Sequence, residues 1–497
     1  MYNFIKHKTR TRHSIPPLTD KTGKICLDPS AKATLLNHTF ADVFLKKEPI
    51  SNIPTFSTPT SQIKLQTFFP ILRTDILASI TTLKNSVSRT PDGIPAMFIK
   101  QTALNLLTPL HIIFNHSLAT GTIPKVWKQA IVIPIYKKGK LNNAKNYRPI
   151  SLTSAVCRLL ERLIHNQIHI HLTYNNIITK SQHGFINKRS TQTQQILFMN
   201  HLTSFYDNNT QVEVIYLDFS KAFDKVPHSL LNIALSNYKI HPIFLSWIEN
   251  YLSSRSQVTL VEDTCSDTVE VSSGVPQGSV LGPLLFVVYL QDLLNRLSQS
   301  CLSTRVYAFA DDLKLMGTDV ADLQRALDIV HEWITTWKLL LNTEKSEHLT
   351  IRHKVDKTLF VNSKPIPKVD QVRDLGIIIS SNLKWDTYVH KIRAKSNILS
   401  HIILHSFSPT NTSLITNLYK TYVRPIVEYN TSVWSPFTKS NIKEIESVQR
   451  KFTRRLCKTS NIKYNCYVDR LHILNLDSLE SRRVKNIYFC CLRYCTS

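Results

Sequence analysis

The chain is 497 residues long, enough for about three domains, and its 42% hydrophobic and 19% charged content excludes wholesale disorder. Sixty-one Lys and Arg oppose 35 Asp and Glu, a formal charge of +26, so the surface should seek a polyanion, nucleic acid first. The longest apolar run, 280–290, is broken by Gly282 and Pro283 and falls short of the ~18 residues of a membrane span, while nine cysteines without a secretory leader read as thiols of an intracellular protein, nuclear or cytoplasmic.

Residues 1–65 are rich in Thr, Ser, Pro and Lys and read as a linker remnant. From Ile71, apolar residues recur at helical spacing (Ile76, Leu77, Ile80, Leu83), and a second helical stretch follows the turn signal PDG at 91–93. IVIPIY at 131–136 is β-branched and carries Pro134, which predicts an edge strand or a strand end; the basic loop KKGK follows. A helix is expected over 154–172, then a polar loop, HGFINKRSTQTQ at 183–194, entering another helix. VEVIYLDF at 212–219 alternates and predicts a strand whose last residues include Asp218. VYAFADDLKLM at 306–316 has hairpin patterning around Asp311 and Asp312. The stretch 321–341 predicts an amphipathic helix with Trp333 and Trp337 four apart, and three helical segments follow Trp385 up to Lys458. Residues 391–497 hold 18 Lys and Arg against 6 Asp and Glu, a basic C-terminal region suited to a nucleic-acid backbone.

Asp218 and the pair Asp311 and Asp312 stand out because carboxylates beside apolar strands need a cationic partner. An isolated DD dipeptide is more often a polar turn; alternatively, adjacent carboxylates repel unless one is protonated or a metal binds, and hard oxygen ligands suit Mg²⁺ with substrate phosphates completing its shell. Only ten glycines occur in the chain, and three, Gly274, Gly278 and Gly282, fall in SSGVPQGSVLGP, where a bare side would let backbone approach a ligand or a packed helix. Lys137, Lys138 and Arg148 flank the 131–136 strand and could hold a triphosphate, or form a solvated basic loop; Arg189 carries the same two readings. The cysteines and His472 near the C-terminus lack zinc-knuckle spacing, and His165 and His169 lack a third ligand.

Seven segments in this order, NYRPISLTSAVCRLLERLI, HGFINKRSTQ, VIYLDFSKAFDKVPH, SSGVPQGSVLGPLLFVVYLQDL, YAFADDLKL, LNTEKSE and VRDLGIIIS, resemble the reverse transcriptases of non-LTR (LINE-type) retrotransposons, jockey-like members above all. YVRPIVEYNTSVWSP at 422–436 is similar to that family's region beyond the thumb. The resemblance implies an α+β right-hand polymerase with fingers, palm and thumb, an antiparallel palm sheet and a helical basic C-terminal region. Its divisions would be a linker remnant at 1–65, N-terminal extension and fingers at 66–210, palm at 211–380, thumb-like helices at 381–460 and a basic Cys-containing segment at 461–497.

The implied reaction is target-primed reverse transcription: an RNA template is copied from dNTPs onto the 3′-OH of a DNA primer, the nicked target. Two Mg²⁺ ions, with Mn²⁺ as a substitute, would serve it. Asp218, Asp311 and Asp312 would be the metal ligands, with the Phe219 carbonyl contributing. Phe223 matches the aromatic that excludes a 2′-OH; Gln277 and Gly278 the segment facing template and nucleotide; Lys137, Lys138 and Arg148 the phosphate contacts. Lys345 matches the lysine proposed as general acid, Arg189 lies in a template loop, and Leu375 and Gly376 match the turn that grips the primer. Relatives usually carry an N-terminal endonuclease, which nothing here resembles, so a polymerase fragment is expected; the alternative is a catalytically silent nucleic-acid-binding remnant.

Overall fold

The computed structural model describes residues 15–46, 54–57, 63–301, 303–352, 357–408 and 410–495, with side chains up to 492; the rest of the expected 1–65 linker lies outside the described residues. The part of that linker that is described is folded. Leu18–Thr19 pairs with Ile25–Cys26, and helix α1 (Pro29–Ala41) follows, its first turn capped by the Asp28 carboxylate accepting from Ala31 N at 3.0 Å. Weak periodicity concealed it because polar groups help to seat it: buried Asn37 bonds Gln257, Thr259 and the Asp267 carbonyl.

Downstream come strands β1 (Gln129–Tyr136) and β2 (Tyr147–Leu152), helices α2 (Ala155–Tyr174) and α3 (Thr191–Asp207), and strands β3 (Val212–Leu217), β4 (Arg255–Val261) and β5 (Val269–Val271). Helix α4 (Gly282–Ser300) leads to the hairpin β6 (Arg305–Phe309) and β7 (Asp312–Gly317), helix α5 (Val320–Thr336) and strands β8 (Glu347–Ile351), β9 (Lys368–Val369), β10 (Gln371–Asp374) and β11 (Ile377–Ser380). Helices α6 (Asp386–Ser406), α7 (Lys439–Thr459) and α8 (Leu479–Cys495) are the long elements of the C-terminal region, with shorter helical pieces between them.

One sheet contains β2, β1 and β4 in that order, with β5 antiparallel to β4 and β1 parallel to β4. The expectation of an edge strand or a strand end holds at Pro134 but not over 129–132, where β1 lies between two partners. Pro134 is tolerated because β4 pairs only with 129–132, so the proline lies past that partner, opposite Pro149. Residues 255–271, expected within the palm, belong to this sheet, and α1 packs on it through Leu36, Phe40, Val132 and Val261.

The other five-stranded sheet has the order β9-β8-β3-β7-β6. Its pairings are antiparallel except β8 with β9, which is parallel. Period-two alternation gives it two apolar faces. Ile215, Leu217, Leu313 and Leu315 enter the core with α4 and α5, whereas Val212, Val214, Met316 and Leu349 join Phe198 and Leu202 of α3 and the C-terminal helices. Helix α5 buries Leu323, Leu327, Val330 and Trp333, each contributing about 1.5–3 kcal/mol. Trp333 stacks on Trp337 with centroids 5.3 Å apart, and its indole N–H donates to buried Asp292 at 3.2 Å. The mixture of helix with a mainly antiparallel sheet between two cores is an α+β fold, as expected.

Candidate active site

The two central strands bring the conspicuous carboxylates together. The β3–β7 register ends with Leu217 opposite Leu313, which brings Asp218, just past β3, beside the end of the hairpin that carries Asp311 and Asp312. Asp312 pairs with Phe309 across the hairpin, which leaves Ala310 and Asp311 as a two-residue turn. Ala310 takes φ +56°, the left-handed conformation that such a tight turn demands at its first position.

Asp218 is fixed from behind by LNTEKSE. Its N–H donates to Ser346 Oγ at 3.3 Å and its carbonyl accepts from Asn342 N at 2.8 Å. Phe219 is buried and forms a backbone bridge to Leu341. Lys345 projects exposed from the turn beginning at Asn342, where its N–H bonds the Asn342 carbonyl.

Charge is concentrated here. Burial raises Asp311 above the ordinary carboxylate range and the Asp218 charge adds to it, against Arg148 and Lys137. Desolvation, then the charges of Asp311 and Asp374, pushes Asp312 up to about 6, against Lys314. Across the cleft, Lys137 is made less basic by burial first and then by Arg148, while Asp218 works the other way and Lys138 and Lys345 add repulsion. The basic residues around β1 and β2 therefore share one space with the aspartates. Among the described residues, however, no three His, Cys, Asp or Glu side chains form a ready-made metal cluster. The donor set fits a hard cation that takes the rest of its shell from substrate oxygens.

The segment SSGVPQG forms another wall. Gln277 Nε2 donates to Asp224 Oδ1 at 2.7 Å, and its carbonyl accepts from Ser151 N at 2.8 Å. Asp224, which sequence reasoning passed over inside DFSKAFDKVPH, is raised by burial, with Gln277, Lys221 and Lys225 opposing. Of the two readings of these glycines, an open side for a ligand or close packing, their surroundings fit close packing. A Cβ on Gly278 (φ +117°) would lie 2.5 Å from the Ser151 carbonyl oxygen, and one on Gly274 2.6 Å from that of Asp224. Both close approaches are to protein backbone, and Gly282 abuts Ser279 and Pro276. Glu161, buried on α2, accepts from Val280 N and Leu281 N at 2.7 and 3.1 Å and so occupies the entry to α4.

Phe223 is half-buried, its ring stacked on Phe286 at 4.3 Å and 22°. Arg189 turns inward: its guanidinium donates to the carbonyls of Thr179 and Gln182 at 2.7 and 2.5 Å, so it fastens its own loop rather than projecting into the cleft. That loop reaches the turn between β6 and β7 through Gln182, another residue missed from sequence, whose Oε1 accepts from Ala310 N and Gly184 N. Leu375 and Gly376, at φ +41° and +100°, form the turn between β10 and β11. Tyr429 Oη donates to the Leu375 carbonyl at 2.8 Å, joining the 422–436 element to that turn. Trp434 and Phe452 are core residues.

Residues 135–379 match the family model described as reverse transcriptase (RNA-dependent DNA polymerase), which places every strand of the five-stranded palm sheet inside a reverse transcriptase domain. The relatives to which the chain is similar include RNA-directed DNA polymerases of mobile elements. The probable RNA-directed DNA polymerase from transposon X-element of Drosophila melanogaster is 26% identical over 88% of this chain and 50% of its own length. The RNA-directed DNA polymerase from mobile element jockey of the same organism is 27% identical over 70% of this chain and 39% of its own. The chain thus spans half or less of the length of these relatives. Among solved structures, apo telomerase from Candida tropicalis truncated from its C-terminal domain aligns with a TM-score of 0.38 at 12% identity, over 56% of this chain and 60% of that one.

Proposed function

We propose that this chain is an RNA-directed DNA polymerase of a non-LTR retrotransposon, transferring nucleotides from dNTPs onto a DNA primer 3′-OH along an RNA template. The observation that carries this reading is the convergence of Asp218 with Asp311 and Asp312 at the adjacent ends of β3 and β7, within reach of the charges of Lys137 and Arg148. Such an array of like charge is relieved by divalent cations, and bound Mg²⁺ would supply polarisation of the primer hydroxyl and neutralisation of the leaving pyrophosphate. The chain's own groups position the reactants. Asp218, Asp311 and Asp312 hold the cation side of the cleft, and Lys137, Lys138 and Arg148 offer charge-assisted donors to the triphosphate. Phe223 bounds the sugar, Lys345 is the proton donor to pyrophosphate, and Leu375 with Gly376 seats the primer end.

The match to jockey-like domains extends this to a nicked DNA target as primer. On this reading the divisions are fingers up to 210 together with 255–271, palm over the rest of 211–380, thumb at 381–460 and a basic segment at 461–497. No described helix is long and apolar enough to cross a membrane.

The test is primer extension by the purified chain on an RNA template with Mg²⁺, beside filter binding of the same duplex. Wild type should extend. Asp311→Asn should lose about three orders of magnitude in rate, the scale of losing a contact to developing charge, with template binding retained. Equal extension by that variant defeats the metal-ligand role. Binding without extension by wild type would leave the catalytically silent remnant.

A further inference from the structure

We propose that Phe185 is a specificity-determining residue, forming with Phe223 the apolar wall that admits the sugar of an incoming deoxynucleoside triphosphate. The inference rests on the function proposed above and adds a residue to the site.

Phe185 is 51% exposed and takes φ +58°, a conformation an L-phenylalanine seldom adopts. Neither feature serves packing: a large aromatic ring gains most from burial, and left-handed backbone is normally left to Gly, Asn or Asp. The surrounding loop is firmly tied down. Arg189 holds the carbonyls of Thr179 and Gln182, His183 N donates to the Ala308 carbonyl at 2.8 Å, and Gln182 Oε1 accepts from Gly184 N and Ala310 N. Strain held by such fastenings, next to a catalytic turn, points to function.

The ring lies against the sugar gate. Phe185 meets Phe223 edge-on, centroids 6.3 Å apart at 82°, while Phe286 underlies Phe223 as a parallel ring. Phe286 is fully buried, whereas Phe185 is half exposed. Phe286 therefore supports the gate from the core, and Phe185 forms its solvent side. Two apolar rings offer no partner to a 2′-hydroxyl, and burying a hydroxyl unpaired is costly. Discrimination against ribonucleotides depends on how closely both rings confine the sugar. Phe185 is carried on the loop that touches Ala310, so this wall is registered to the aspartates at the same time.

The experiment is single-nucleotide extension of a DNA primer on an RNA template by the full chain, with dNTP and rNTP in parallel. In Phe185→Ala the KM for dNTP should rise more than kcat falls, and the preference for dNTP over rNTP should drop about tenfold, the scale of removing apolar contact from a specificity pocket. Phe185→Tyr, which keeps the ring, should restore both. Phe185→Gly, which relieves the positive φ, should fold at least as stably as wild type and still lose the preference. A merely structural role would predict the reverse, with Phe185→Gly indistinguishable from wild type in selectivity. Wild-type KM and preference in an active Phe185→Ala would overturn this inference alone. Absence of extension by wild type would overturn it together with the polymerase reading.

Discussion

The Oε1 of Gln182 accepts the backbone N–H of Ala310 at 3.0 Å, so a fully buried amide holds the turn that carries Asp311. The same oxygen accepts from Gly184 N at 2.8 Å, and the two bonds latch residues 181–184 to the edge of the palm hairpin beside the Gln182–Ala308 bridge. In Gln182→Met both N–H groups lose their acceptor at similar side-chain volume. Each unsatisfied buried donor costs about 1–3 kcal/mol, so urea unfolding should show a loss of about 2–6 kcal/mol. Extension should fall mainly in kcat. An unchanged unfolding midpoint would mean that the turn holds itself.

Gly184 sits where no side chain fits. A Cβ there would lie 2.3 Å from Ala310 N and 2.9 Å from the Phe309 carbonyl carbon, both backbone atoms of the hairpin, so no rotamer change relieves the clash. Gly184→Ala should therefore displace the turn and remove primer extension while the chain still folds at low temperature. Gly93→Ala is the control: its position is open but has φ +68°, and it should cost only about 1 kcal/mol. Comparable extension by the two variants would show that the close approach at Gly184 is dispensable.

His183 gives the fold a pH dependence. Burial first, then the charges of Arg189 and Lys314, lowers its pKa from 6.5 to about 4, while its Nδ1 shares a 2.8 Å hydrogen bond with Thr193 Oγ1. Between those values the unfolded chain binds a proton that the folded chain refuses. Stability contributed by this residue is complete above pH 6.5 and declines as pH falls towards 4, with a slope of at most about 1.4 kcal/mol per pH unit. Denaturant unfolding followed over that range should be flatter for His183→Gln than for wild type. Parallel pH profiles would assign the dependence to other groups.

Much of this site was legible as motif. Alternation in 212–219 and the paired aspartates in 306–316 anticipate β3 and the β6–β7 hairpin, because strand period and turn chemistry are local properties. What stayed hidden is what the residues do to one another across the fold. Gly274 and Gly278 read as open to a ligand or to a packed helix, and only the fold shows that their missing side chains make room for the backbone at Asp224 and Ser151. Arg189 read as basic and available, yet it is occupied by the carbonyls of Thr179 and Gln182. Gln182, Glu161 and Asp374 carry no pattern at all, since a buried polar residue is recognisable only from the partner that satisfies it. The scarcity of glycine was the one usable signal for Gly184, standing alone in a polar loop. In β1, Pro134 argued for an edge that exists only beyond residue 132, where the β4 pairing ends.

Lys314 and Asp374 tie the β6–β7 hairpin to the turn between β10 and β11. They are 2% and 4% exposed, and the ammonium reaches both carboxylate oxygens at 3.0 and 2.8 Å. Lys314 lies two residues beyond Asp312 on the same face of β7, and Asp374 immediately precedes Leu375. The Asp374 carbonyl accepts from buried Gln195 at 2.8 Å, and Gln195 in turn accepts from Asn430, so the connection continues into the 422–436 element. Lys314→Met strands a buried carboxylate and should cost about 3–5 kcal/mol. The double variant Lys314→Met with Asp374→Leu leaves no charge unpaired and should recover most of that stability. If the pair serves only stability, extension will recover with it. If the pair sets the distance between the aspartates and the primer end, the double variant will unfold like wild type yet extend slowly, with primer-end binding weakened more than dNTP KM. Urea unfolding and steady-state extension on the same preparations separate the two, and equal stability of all three proteins would show that this ion pair contributes nothing to stability.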